Sequence, residues 1–70
     1  MSFFEHSDEF EFEFRTRRRL QKFVNEIREK FPKVVVTTSN FKKGNFCYIQ
    51  KDMDSISIIK EIDVVSEKYK

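Results

Sequence analysis

A small α+β domain, with one helix lying on a mixed sheet in the order β-α-β-β-β, is the fold class the sequence predicts. Three observations carry it. Residues Glu9 to Arg15 alternate strictly between Phe and charged side chains, which is the strand period. Leu20, Val24, Ile27 and Phe31 follow at spacings of 4, 3 and 4, which is the helix period. Two runs of β-branched and aromatic residues, 34–40 and 46–51, then flank the only Gly of the chain, where a hairpin loop needs a positive φ angle.

The first strand has a rival. Asp8 and Glu11 have the spacing of a capping box, and a helix starting there would gain the pairs Glu11–Arg15 and Glu13–Arg17. Such a helix would point Phe12 far from Phe10 and Phe14, because successive residues fan out by about 100°. A strand puts all three rings on one face, so a strand is expected. The helix itself is framed by Thr16, a good N-cap, and by Pro32, which pushes the residue before it out of helical geometry.

The C-terminal segment carries two periods. Residues 55–62 are rich in Ile and begin with alternation, which favours a third hairpin strand. Ile58, Ile62, Val65 and Tyr69 keep helical spacing behind Asp54, a competing cap. The expectation is a strand from about residue 55, with a helical tail as the alternative. Residues 1–8 show no period and are expected to be loosely ordered within a single domain spanning 1–70. The strand-helix-strand unit should run its two strands parallel, with the helix on one sheet face. The other face stays partly apolar, since Phe46 and Tyr48 point one way and Cys47 and Ile49 the other. Either the C-terminal segment or another chain should cover it, and a homo-oligomer is expected.

A chain of 70 residues leaves room for one modest core, and small folds of this size are often stapled by disulfides or metals. One Cys and one His supply neither within a single chain. Cys47 in the run Phe46-Cys47-Tyr48-Ile49 reads as a reduced, buried thiol, so the expected compartment is cytoplasmic. That run is the longest apolar stretch, far below the roughly 20 residues of a membrane span. The N-terminal residues lack a signal-peptide pattern, and Ser2 stands where myristoylation needs Gly.

The formal net charge of +2 hides a strong asymmetry. Residues 1–14 hold five acids and no Lys or Arg, residues 15–51 hold eleven bases against two acids, and residues 52–70 are again mildly acidic. The acidic half of "EFEFEFRTRRRL" has a folding rationale, because Glu on the outer face of a Phe strand discourages edge-to-edge stacking. The basic half does not. If the helix starts after Thr16, then Arg17, Arg18 and Arg19 stand at its positive end, where each exposed cation is disfavoured by about 0.3–1 kcal/mol. Backbone N–H groups with a fan of guanidinium ions form an anion site, and phosphate fits the bidentate geometry of Arg.

The candidate anion-binding residues are therefore Arg15, Arg17, Arg18, Arg19 and Lys22. Lys42 and Lys43 form a second contact, and Phe41 and Tyr48 are candidate stacking residues for single-stranded bases. The competing reading is that these arginines pair with Glu9, Glu11, Glu13 or the C-terminal acids. Catalysis is not expected. Cys47 with His6 supplies the residue types of a nucleophile and a base, and His6, Ser7 and Asp8 those of a triad, but adjacency along the chain is not a triad's geometry and nothing supports either set; one Gly cannot build a phosphate loop. No metal or cofactor is expected. The expected function is a non-catalytic module binding nucleic-acid phosphates. The alternative is a protein-interaction module, such as an inhibitor, adaptor or antitoxin-like binder, working through an open sheet face or an edge strand.

Overall fold

The computed structural model describes residues 3–39 and 44–70. It is an α+β domain of four strands and two helices: β1 (Phe3–Glu5), β2 (Glu9–Phe14), α1 (Arg17–Lys30), β3 (Val36–Ser39), β4 (Asn45–Gln50) and α2 (Met53–Glu67). The sheet order is β1-β2-β4-β3, and every neighbouring pair is antiparallel.

The alternation of β2 does what its sequence implies. Phe10, Phe12 and Phe14 are buried, while Glu9, Glu11 and Glu13 alternate to the other face. Helix α1 begins where Thr16 caps it: the Thr16 Oγ1 accepts from the Arg19 backbone N–H at 3.2 Å. Its stripe of Leu20, Phe23, Val24 and Ile27 is buried against the sheet. The Phe23 ring lies 5.2 Å from that of Phe12 and 4.9 Å from that of Phe14, the separations at which aromatic pairs attract. Gly44 precedes β4 with φ +116°, as the hairpin reading requires.

Three expectations are corrected. The sheet is antiparallel rather than mixed, because β4 enters between β2 and β3. Those two strands do run in the same direction, each being antiparallel to β4, but they are not neighbours. The physical reason is burial. β4, carrying Cys47 and Ile49, is apolar enough for a central place, whereas Thr37, Thr38 and Ser39 suit the edge strand β3. Second, the segment expected to be a strand from residue 55 is helix α2. Asp52 is its N-cap, in a capping box in which the Asp52 Oδ1 accepts from the Ser55 N–H at 2.9 Å and the Ser55 Oγ accepts from the Asp52 N–H at 3.0 Å. Asp54, read from sequence as a cap, lies in the first turn. Burial of Ser55, Ile62, Val65 and Ser66 overrides the β-preference of the isoleucines. Third, residues 3–5, within the segment expected to be loosely ordered, form β1. It pairs antiparallel with β2, and Phe3 packs its ring 5.4 Å from Phe10 and 5.3 Å from Phe12.

Both helices cover the same side of the sheet. The core joins Phe10, Phe12, Phe14, Val36, Cys47 and Ile49 to residues of α1 and to Ile62 and Val65 of α2. The C-terminal segment thus thickens the covered face instead of closing the open one. On that open face the cross-strand rows are Phe4–Glu11–Tyr48–Thr37 and Glu13–Phe46–Ser39. Because β2 lies inside the sheet, its Glu row does not guard an edge; β1 and β3 are the edges. Among the described residues, no helix is long and apolar enough to cross a membrane.

Candidate anion-binding surface

The two ends of α1 treat charge differently. At its C-terminal end Glu26, with a side chain only 18% exposed, accepts from Lys30 Nζ at 2.9 Å, Lys68 Nζ at 3.0 Å and the Tyr69 hydroxyl at 2.5 Å. The Tyr69 hydrogen bond, followed by those of Lys30 and Lys68, pulls the Glu26 carboxyl down from 4.5 to about 2. The same bond pushes the Tyr69 phenol up. Charges here are matched, and they tie α1 to the segment after α2.

The N-terminal end is different. No acid occupies the first turn of α1. Arg15, Arg17, Arg18 and Lys22 are exposed, and Arg19 is half-buried. Among the described residues, no ion pair involves Arg15, Arg18, Arg19 or Lys22. The rival pairing with the β2 glutamates therefore does not form at these four positions. Arg19 is committed elsewhere, since its guanidinium donates to the Lys70 carbonyl at 2.8 Å. It fastens the chain after α2 to the start of α1.

Lys70 was not in the sequence-derived set. Its ammonium lies 5.0 Å from the centre of the Phe14 ring and donates to the Glu13 carbonyl at 2.8 Å. A shallow depression there is lined by Glu13, Phe14, Arg15 and Lys70. No sequence signal placed Lys70 here, because only the packing of α2 brings it back to the end of β2. The positive helix terminus, four exposed cations and Lys70 together make this end strongly basic.

The other sequence-derived residues divide. Phe41, Lys42 and Lys43 lie outside the described residues. Tyr48 sits in the open face between Glu11 and Thr37, its ring stacked 6.5 Å from that of Phe46, and the sheet separates it from α1. The arginine end and the stacking ring are thus on different faces. Cys47 is fully buried, and burial pushes its thiol up to about 12, well away from nucleophilic use. His6 stands on the other side of the sheet, 2.9 Å from Glu11 and against the Phe4 ring. Among the described residues, no three His, Cys, Asp or Glu side chains gather in a way that could hold a metal. No protein-family model, curated protein or solved structure matches the chain.

Proposed function

We propose that this protein is a non-catalytic binding module that engages a polyanion, nucleic acid above all, through Arg15, Arg17, Arg18 and Lys22. One observation carries the reading: exposed cations concentrate at the positive end of α1, where folding disfavours them, with no acid in the first turn. Phosphates would complement this positive end, accepting from guanidinium forks and from the helix terminus. Contacts of this kind give affinity with little sequence preference. The buried, protonated Cys47 suits a reducing, cytoplasmic setting.

The test is fluorescence anisotropy of labelled single-stranded and duplex oligonucleotides at several salt concentrations. An Arg15→Ser, Arg17→Ser, Arg18→Ser variant serves as the control, leaving the Arg19–Lys70 contact intact. Four phosphate contacts predict a log-log salt slope of about −3 to −4 and loss of binding in the folded variant. Absence of binding at low salt, or binding unchanged in the variant, rejects the reading.

A second reading rests on a different observation. Phe4 is 62% exposed and Phe46 and Tyr48 are half-buried, all on a sheet face that neither helix covers. Such a face supports a protein-interaction module of the inhibitor, adaptor or antitoxin-like kind, or a homo-oligomer. Sedimentation at tens of micromolar separates self-association from a monomer awaiting another partner.

A further inference from the structure

The open sheet face has a charge pattern that the sheet does not balance itself. The four strands contain four Glu and no Lys or Arg, although the chain carries 14 such cations; Glu5 stands opposite Phe10 on the covered side and pairs with Lys51 at 3.0 Å, which leaves Glu9, Glu11 and Glu13 on the open face. Antiparallel sheets commonly set an opposite charge across from a carboxylate. Here Glu11 lies between Phe4 and Tyr48, Glu13 lies opposite Phe46, and Glu9 lies opposite Gln50. Glu9 and Glu13 form no ion pair among the described residues, and Glu11 meets only His6. The row belongs to an interior strand, so protection of a sheet edge does not explain it.

Alternate residues on one strand stand roughly 6.5–7 Å apart, so the face offers carboxylates at regular intervals with aromatic rings directly beside two of them. That is the chemistry of a guanidinium: its edge donates to a carboxylate while its plane lies on an aromatic ring. Lysine satisfies only the charge. The geometry points to the open face as a docking surface for an arginine-rich segment of a partner protein, with Glu9, Glu11 and Glu13 pairing its guanidinium groups and Phe4, Phe46 and Tyr48 stacking on them. This rests on the second reading above, that the open face is an interface, and it is independent of the arginine end.

The experiment is an amide-resolved NMR titration of the full chain with a short peptide of alternating Arg and Ser, beside its Lys counterpart of equal charge. The Arg peptide should shift the amides of Phe4, Glu11, Phe46 and Tyr48 and bind about tenfold tighter than the Lys peptide. A Glu11→Gln, Glu13→Gln variant should weaken it about tenfold or more, and Phe4→Ser, at an exposed position, should remove most of the preference for Arg over Lys. Equal affinity for the two peptides, shifts confined to the helices, or no shifts at low salt would overturn the inference. Sedimentation of the same samples separates the two levels. Self-association abolished by Phe4→Ser, without Arg-peptide binding, keeps the face as an interface but assigns it to a second copy. A monomer that shows no shifts removes the interface reading as well.

Discussion

Replacing Ser55 by Val discriminates sharply between a helical and an extended C-terminal segment. In a strand, Val would be favoured over Ser by its β-branched shape. In α2 it should be costly, because the Ser55 Oγ, fully buried, donates to the Gln50 carbonyl at 2.7 Å and accepts from the Asp52 N–H at 3.0 Å. Removing the hydroxyl strands both backbone groups beside the core, at about 1–3 kcal/mol. Asp52→Ala removes the other half of the capping box and should cost about 1 kcal/mol. A domain of this size has about 3.5–10 kcal/mol of total stability, so either loss is a substantial fraction. Urea unfolding followed by far-ultraviolet circular dichroism is the assay. With a denaturant slope of about 1 kcal/mol per molar, Asp52→Ala should lower the midpoint by about 1 M and Ser55→Val by about 1–3 M. The double variant should fall short of the sum, since each change breaks the same box. A Ser55→Val protein as stable as the parent would refute the buried cap and with it the account of why this segment is helical.

Three further outcomes follow from other contacts. Glu26 is held near 2 in the fold against an ordinary 4.5, so its contribution to stability is complete above about pH 4.5 and is lost as pH falls through 2. Urea midpoints measured from pH 6 to pH 2 should show this loss, and Tyr69→Phe should shrink it, while a carboxyl NMR titration with Glu26 at its ordinary value would contradict it. Cys47, buried and pushed up to about 12, should react with a disulfide reagent at least about 300-fold more slowly in the folded protein than in urea. Rapid labelling in native buffer at pH 8 would show the core to be open. Gly44→Ala should destabilise by more than about 1 kcal/mol, because the residue holds φ +116° and an added Cβ would lie 2.8 Å from the Phe46 ring. A neutral thermal midpoint would mean that the turn relaxes freely.

What could be read from sequence was whatever is encoded within one element. Phe10, Phe12 and Phe14 reveal β2 because one face of it is wet, and Leu20, Val24 and Ile27 reveal α1 for the same reason. Helix α2 hid its period because it is apolar on both sides: Ile62 and Val65 face the core, yet Met53, Ile56 and Val64 are 89%, 56% and 66% exposed. Strand β1 is only three residues long, too short for any period. The strand order was not legible either, since the partner of β2 is chosen by which later segment best fills the centre. The same division holds at the basic end. Thr16 fixed where α1 starts and so which arginines crowd its terminus, whereas Lys70, and the bond that draws Arg19 aside, depend on where α2 finishes.

The central position of β4 has a consequence for how this chain reaches its fold. Every β2–β4 pair, from Phe14–Asn45 to Glu9–Gln50, joins residues on opposite sides of α1 and β3, so the sheet closes only through long loops. The β1–β2 ribbon and α1 lack their middle partner until residue 50 is available, and an isolated two-stranded ribbon is at best marginal in water. Folding should therefore be a single, late, concerted event with a rate in the middle range for mixed domains, and not an accretion from the N-terminus. On a ribosome, the first half of this protein would wait for the second.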